Sequence, residues 1–151
     1  YMFTERFRKN FLTTTETESV LKTIREVEKS TSGEIRLFIE SKCMYMNPFD
    51  RAKEIFMQLQ MQKTVDRNAV LIYIAHKDHD FAICSDKALH EKVAASFWSI
   101  QSKMLANEFH AGKYTEAIVT CIKAIGNELI KHFPWEGEQK NELPDDIVFG
   151  K

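Results

Sequence analysis

Glycine, proline and cysteine are all scarce in this chain of 151 residues, which has five glycines, three prolines and three cysteines. So few glycines leave no glycine-rich loop to cradle a phosphate, and no P-loop, GxGxxG, GxSxG or HExxH motif occurs. The cysteines, Cys43, Cys84 and Cys121, are odd in number and form no CxxC pair. We therefore interpret them as small buried side chains in a reducing compartment, rather than as zinc ligands or a nucleophile.

The chain also lacks an excess of charge of either sign, with 21 basic and 22 acidic residues. This balance gives no electrostatic reason to expect nucleic acid or an anionic membrane surface as a partner. No apolar run approaches the ~18 residues that a membrane span needs, and the N-terminus has no signal-peptide core. If Tyr1 is left over from a tag and Met2 is the native start, we expect a cytoplasmic protein.

Hydrophobic patterns predict seven elements in the order α-β-α-β-β-α-α. The first helix is predicted to begin at the capping box Thr15-x-x-Glu18, ahead of an apolar stripe of 3.6-residue period. Residues 34–40, EIRLFIE, alternate as in a strand, and residues 69–75, AVLIYIA, are continuously apolar, as in a central strand covered on both faces. A turn over 76–80 leads to a short third strand, FAICS.

Helix start and stop signals divide the remainder of the chain. Asn47 is predicted to cap the second helix, with proline at its first position. Asp86 is predicted to cap a third helix, which is kinked or broken near Ala94. Gly112 separates it from a final helix that Pro134 stops.

This order of elements predicts the architecture. A strand–helix–strand passage gives a parallel pair with a right-handed crossover, and a short turn makes the next pair antiparallel. The fold class is therefore α/β: a three-layer α/β/α sandwich with a small mixed β-sheet and helices on both faces. We predict one domain over residues 11–134, an N-terminal extension over 1–10, and a polar, extended C-terminal tail over 135–151.

The predicted strand directions separate two groups of polar residues. His76, Asp78, His79 and Asp80 lie at the turn, and about 17–20 Å of strand separates them from the opposite rim of the sheet. Histidine and aspartate are both metal ligands, but the spacing of these residues matches no closed zinc pattern. We interpret this group as a solvated hairpin turn.

The opposite rim is the candidate site. Glu34, Asp66 and Asp86 are predicted to meet there, with Asn68 and Ser85 as neighbours. Carboxylates, an amide and backbone carbonyls are hard oxygen donors that suit Ca²⁺ or Mg²⁺. The alternative interpretation is that Asp86 only caps its helix, Asp66 shapes a turn, and Glu34 is a solvated residue at the start of a strand. Spacing alone does not decide between the two.

Three segments resemble the TPM domain, a module of thylakoid-lumen proteins linked to photosystem repair and of many bacterial proteins. The segments are EVEKSTSGEIRLFI, DRNAVLIYIA and FHAGKYTEAI, and they occur in this order. The resemblance extends from about Phe11 to Pro134. It implies an α/β/α sandwich, divalent-metal binding, chiefly of calcium, at acidic loop positions, and a phosphatase activity reported for plant relatives.

Glu34 and Asp66 match acidic positions beside the family's first two strands. The family often has Asp-Asn-Gly before the second strand, whereas this chain has Asp66-Arg67-Asn68-Ala69. After the third strand it often has Gly-Tyr-Gly-Leu-Glu, and residues 85–89 here are Ser-Asp-Lys-Ala-Leu. The chain has thus lost those glycines, while Asp86 adds an oxygen ligand.

We therefore expect a TPM-type domain that binds Ca²⁺ or Mg²⁺ through Glu34, Asp66 and Asp86. It would be a monomer and act as a regulatory or partner-binding module with a protein partner. The alternative is a metal-assisted acid phosphatase, a phosphomonoesterase in which the ion polarises the phosphoryl group and a carboxylate positions water. No nucleophile with an adjacent base is visible in the sequence. A third hypothesis is a scaffold without a ligand, which would have an exposed apolar groove between its helices.

Overall fold

The computed structural model describes residues 11–135 and 147–150. In chain order the elements are α1 (Thr14–Glu28), β1 (Glu34–Glu40), α2 (Pro48–Gln58), a 3₁₀ turn (Met61–Lys63), β2 (Ala69–Ala75), β3 (Asp80–Ser85), α3 (Lys87–Lys92), α4 (Ala95–His110), α5 (Tyr114–His132) and β4 (Ile147–Phe149). None of the helices in these ranges combines the length and the apolar character that crossing a membrane requires. The predicted extension over 1–10 and most of the predicted tail lie outside the described residues.

The strands form one mixed sheet in the order β3-β2-β1-β4. β1 and β2 are parallel and pair from Glu34–Ala69 to Glu40–Ala75. β2 and β3 are antiparallel, and their pairing ends at Val70–Ser85. The predicted directions of all three strands are confirmed.

Helices cover both faces of this sheet. Every residue of β1 and β2 is buried, and the two faces of these strands belong to separate apolar clusters. One cluster joins the sheet to α1, α3, α4 and α5, and the other joins it to α2 and the 3₁₀ turn. The predicted three-layer α/β/α sandwich is confirmed.

The strand β4 was not predicted. Ile147–Phe149 lies in the stretch predicted as tail and pairs in parallel with β1, from Leu37 to Ile39. Gly150 follows it in close contact with the sheet, since a Cβ there would lie 2.6 Å from Cζ of Phe38. Three residues are too few to show a periodic pattern, so the sequence gives no signal of this strand.

The helix α1 begins two residues earlier than predicted. Oγ1 of Thr13 accepts the N–H of Glu16 at 3.0 Å, and the Glu16 carboxylate accepts the N–H of Thr13 at 2.8 Å. The predicted capping box, Thr15 with Glu18, is therefore wrong, because the segment TTTETE carries the Thr-x-x-Glu spacing twice. The Glu16 carboxylate also accepts the Thr115 hydroxyl at 2.8 Å, a tertiary contact that favours the earlier start.

The other predicted helix boundaries agree with the structure. The Asn47 side chain caps α2 by accepting the N–H of Asp50, and Asp86 caps α3. The third predicted helix is broken between α3 and α4, at Val93 and Ala94. Gly112, with a φ of 79°, separates α4 from α5 in a conformation that glycine adopts readily.

The capping box predicts different effects for two neighbouring threonines. Thr13→Ala removes a cap and is expected to lower the free energy of unfolding by about 1 kcal/mol. Thr15→Ala is the matched control, because Thr15 is exposed and caps nothing, and we expect a much smaller change. Urea denaturation measures both. A larger loss for Thr15→Ala would place the start of α1 at the later threonine.

The same contacts predict a pH dependence. The backbone N–H of Thr13, followed by the Thr115 hydroxyl, lowers the pKa of Glu16 below its ordinary value of 4.5. A carboxyl whose pKa is lowered by folding contributes stability above its unfolded pKa and loses it as the pH falls through the folded value. The stability advantage of the wild type over Glu16→Gln is therefore expected near neutral pH and should shrink below about pH 4.5. An advantage independent of pH would contradict it.

Candidate functional site

The predicted polar residues lie at one edge of the sheet. Glu34 lies opposite Ala69 in the β1–β2 pairing, and the N–H of Asp86 donates to the carbonyl of Ala69 at 2.9 Å. Asp66 and Asn68 lie in the turn just before β2. We call this edge, formed by Ser32, Glu34, Asp66, Asn68 and Asp86, the acidic rim.

Glu34 and Asp86 flank Ala69 on the same face of the sheet. Their shared register places them two strand spacings apart, roughly 10 Å between Cα atoms, with only a small side chain between them. Glu34 is 4% exposed and its side chain is not free of interactions, so it is not a solvated residue at the start of a strand. That part of the alternative interpretation is wrong.

Asp86 is engaged by two partners. Its two carboxylate oxygens accept Nε and Nη2 of Arg67 at 2.7 and 2.9 Å, and Oδ1 also accepts the N–H of Lys87 at 2.7 Å. The Arg67 backbone has a φ of 50°, in the left-handed region. An ion could bind Asp86 in competition with this guanidinium, while the helix cap persists as the alternative interpretation held.

A second polar network joins the two loops that precede β1 and β2. The Ser32 hydroxyl donates to Oδ2 of Asp66 at 2.8 Å, and Nδ2 of Asn68 donates to the Ser32 oxygen at 3.1 Å. Asn68 is fully buried, and its Oδ1 has no hydrogen-bond partner among the described residues. Asp66 is exposed. A carboxylate, a hydroxyl and an orphaned amide oxygen therefore share one corner of the acidic rim.

Buried contacts with the end of α5 fix the loop that carries Ser32. The hydroxyl of Thr31, a residue with no exposed surface, donates to the carbonyl of Leu129 at 3.1 Å and also contacts that of Phe133. Gly33 packs so tightly that a Cβ would lie 2.5 Å from Cδ2 of Leu129. The position of Ser32 is therefore set by the packing of the end of α5 against this loop.

The structure also limits what the acidic rim can bind. Over residues 11–135 and 147–150, no three His, Cys, Asp or Glu side chains form a group that could hold a metal ion. A cation at the acidic rim would thus need the neutral oxygens of Ser32 or Asn68 as well as carboxylates. That Glu34, Asp66 and Asp86 share one ion stays a prediction.

The hairpin turn has structural contacts of its own at the other end of β2. Oδ2 of Asp78 accepts the N–H of Cys43 at 2.9 Å, and the His76 ring stacks on Phe11 with centroids 5.2 Å apart. Burial lowers the pKa of His76. These contacts agree with the interpretation of residues 76–80 as a hairpin turn.

A buried charged cluster on that opposite edge was missed in the sequence. Glu40 is 6% exposed and accepts Nε and Nη2 of Arg51 at 2.9 and 3.0 Å, as well as the Tyr73 hydroxyl. Arg51 also pairs with Glu54. In the sequence, Glu40 looks like the solvated end of a strand, and only the parallel pairing brings it beside Tyr73. With its charge balanced by Arg51, we interpret this cluster as structural.

The cysteines are free and unsuited to nucleophilic chemistry. Burial raises the pKa of Cys84 to about 11 and that of Cys121 to about 12, so both thiols stay protonated at neutral pH. Cys43 is partly exposed, and its thiol contacts the carbonyl oxygen of Met46 at 3.2 Å. Their interpretation as buried side chains is confirmed for Cys84 and Cys121.

The fold and the acidic rim define a mixed α/β domain with its polar loops at one edge of the sheet. The TPM domain family matches residues 7–128, so the chain belongs to this family. Its structure is similar to the NMR structure of the BA42 protein from the psychrophilic bacterium Bizionia argentinensis. The two chains are 37% identical, with a TM-score of 0.84 over 93% of this chain and 96% of that one.

Two more distant structures share the fold. The N-terminal domain of a P. gingivalis protein is 13% identical, with a TM-score of 0.68 over 85% of this chain and 83% of that one. The N-terminal domain of a Corynebacterium glutamicum protein is 9% identical, with a TM-score of 0.63 over 88% and 82%. No curated protein matches the sequence.

The two departures from the TPM sequence pattern turn out to be partners. Arg67 stands where the family often has asparagine, in a left-handed conformation that asparagine adopts more readily. Asp86 stands in the segment where the family often has glycines, and it binds the Arg67 guanidinium. Each of these residues supplies the charge that compensates the other.

The double role of Asp86 predicts a difference between two substitutions. Asp86→Asn keeps a good helix cap and loses the ion pair, whereas Asp86→Ala loses both. We expect Asp86→Ala to unfold more easily than Asp86→Asn by about 1 kcal/mol in urea denaturation. Arg67→Ala should have no further effect on stability in the Asp86→Asn background. Additive effects of the two changes would contradict the pairing.

Proposed function

We propose that this TPM domain binds a divalent cation, Ca²⁺ or Mg²⁺, at the acidic rim and serves as a regulatory or partner-binding module. The supporting observation is the buried Oδ1 of Asn68, which lacks a hydrogen-bond partner among the described residues. Leaving a buried acceptor unpaired costs about 1–3 kcal/mol. A hard cation would be a suitable partner for that oxygen.

The ligands would come from both loops of the acidic rim. Asp66 would supply the charge, and Asn68 and Ser32 would supply neutral oxygens from the same hydrogen-bonded network. Glu34 and Asp86 complete the predicted set, with Asp86 shared between the ion and Arg67. Because Arg67 is a positive charge next to this site, we expect weak affinity, with a dissociation constant of about 10⁻⁴–10⁻³ M.

The regulatory role follows from the position of these loops. One precedes β1 and the other precedes β2, so an ion that bridges them would hold two strand starts together and screen the exposed Asp66 carboxylate. A partner protein could then bind the ordered loops. The predicted cytoplasmic location, monomeric state and lack of nucleic-acid binding belong to the same proposal.

Metal titration of the ¹⁵N-labelled chain tests this proposal. Added CaCl₂ or MgCl₂ is expected to shift the amide signals of Ser32, Asp66 and Asn68. Asp66→Asn should abolish the shifts, and Arg67→Ala should strengthen binding because it frees Asp86. Asp78→Asn, on the opposite edge, is the matched control and should bind like the wild type. Shifts confined to the hairpin turn, or none at millimolar metal, would reject the site.

A second candidate function, a metal-assisted acid phosphatase, is favoured by one contact. The Ser32 hydroxyl donates to the Asp66 carboxylate at 2.8 Å, which is the nucleophile-and-base arrangement that the sequence alone did not reveal. Arg67 is 46% exposed and could hold the oxygens of a phosphoryl group. A bound ion would supply polarisation of that group.

Hydrolysis of p-nitrophenyl phosphate tests the second candidate. If Ser32 is the nucleophile, the wild type should hydrolyse the ester, and both Ser32→Ala and Asp66→Asn should lose the activity. Ser30→Ala changes an exposed neighbour in the same loop and should retain it. Activity that survives in Ser32→Ala but not in Asp66→Asn would assign the attack to water instead of Ser32. Activity that survives in both variants would reject this candidate, and the metal-binding proposal would be unaffected.

A further inference from the structure

The strand β3 has an open outer edge. It lies at one end of the sheet, and no strand pairs with its outer side in the part of the chain that the structure describes. The N–H of Asp86 points inward, to the carbonyl of Ala69. Because the direction of these groups alternates along an antiparallel strand, the backbone N–H and C=O groups of Phe81, Ile83 and Ser85 point outward.

The described sequence of β3 lacks the residues and irregularities that usually block strand addition. Natural edge strands are protected by lysine, proline, bulges or short length. β3 pairs one-to-one with β2 over its six residues, without a bulge, and its sequence DFAICS contains neither lysine nor proline. Its one charged residue is Asp80, at the very start. The edge is therefore a regular template for hydrogen bonding to another strand.

An apolar groove of about 620 Å³ runs along this edge. Phe49, at the start of α2, forms one wall and is half exposed, and Trp98 of α4 forms the other. Phe81 and Ile83 pack in the same cluster as Trp98, whereas the residue between them faces the α2 layer. An added strand would therefore place alternate side chains against these two walls.

The charged residues at the groove indicate what kind of segment it binds. Lys103 is the one charged side chain among the described residues that line it, and Lys53 lies over the Phe49 ring, with Nζ 5.5 Å from its centroid. An occupant with a carboxylate would complement these ammonium groups. A second copy of this chain fits less well, because pairing β3 with β3 would bring two such walls and like-charged lysines together.

We propose that the edge of β3 binds an extended, acidic segment of a partner protein as an added strand. Its backbone pairs with the outward groups of Phe81, Ile83 and Ser85, and its alternate apolar side chains contact Phe49 and Trp98. A carboxylate of the segment binds Lys103. This inference deepens the partner-binding part of the proposed function, and it needs no ion at the acidic rim.

The probe is a synthetic peptide of alternating valine and threonine between two glutamates, titrated in metal-free buffer into the full-length ¹⁵N-labelled chain. We expect amide shifts along β3 and slower hydrogen exchange at Phe81, Ile83 and Ser85. The slowing should be about tenfold at a peptide concentration roughly ten times the dissociation constant. The same peptide with N-methyl groups on its pairing face should not bind, because it cannot form the ladder.

Two matched lysine variants test the charge. Lys103→Glu is expected to weaken peptide binding severalfold. Lys123→Glu changes another exposed lysine, on α5 away from the groove, and should leave binding unchanged. Shifts outside β3 and the groove, or equal binding of the N-methylated peptide, would overturn the proposal.

Hydrogen exchange measured without peptide distinguishes the other possible occupants of the β3 edge. If the outward amides are already protected in the free monomer, another segment of this chain covers the edge. If their protection rises with protein concentration, a second copy is the occupant. Either result would also overturn the proposal. The peptide experiments contain no metal, so a negative result in them says nothing about metal binding at the acidic rim. The two proposals are therefore tested separately.

Discussion

The parallel pairing of β1 with β2 is the constraint on which the rest of the structure depends. All residues of both strands are buried, so a shift of one position would turn apolar side chains away from one cluster and into the other. This register brings Glu34 opposite Ala69, and Ala69 in turn receives the N–H of Asp86. The acidic rim at one end of the strands and the Glu40 cluster at the other both follow from it.

The acidic rim shows two ways of balancing charge in one small region. Asp86 is neutralised by a guanidinium from its own chain, while Asp66 is exposed and is bound by the Ser32 hydroxyl. Asp86 therefore has a fixed counter-charge from its own chain, for which an ion in the proposed site would have to compete, whereas the Ser32 hydroxyl bound to Asp66 carries no charge.

Much of the fold could be predicted from the sequence, because its signals are local. The strands 34–40 and 69–75, the caps at Asn47 and Asp86, and the strand directions depend on periodicity, capping residues and loop length. The capping box at Thr13 could not be chosen over the one at Thr15, since a contact with distant Thr115 favours it. For the candidate site, the sequence predicted which edge of the sheet carries the polar residues, but not how they pair.

The partners within that edge required three-dimensional information. That Arg67 would turn to Asp86 depends on a left-handed backbone conformation, which is unusual for arginine and leaves no mark in the sequence. The burial of Asn68 depends on the loop that Thr31 anchors to the end of α5. These contacts join residues 19 positions apart for Arg67 and Asp86 and 98 for Thr31 and Leu129, so no local pattern reports them.

The short strand β4 gives the two sides of the sheet different capacities. It closes the β1 side with only three residues of backbone, and Gly150 presses directly against Phe38 behind it. A segment this short is a poor template for further pairing, whereas β3 offers six residues in regular register. Among the described residues, the two ends of the sheet therefore differ in their capacity to accept a further strand.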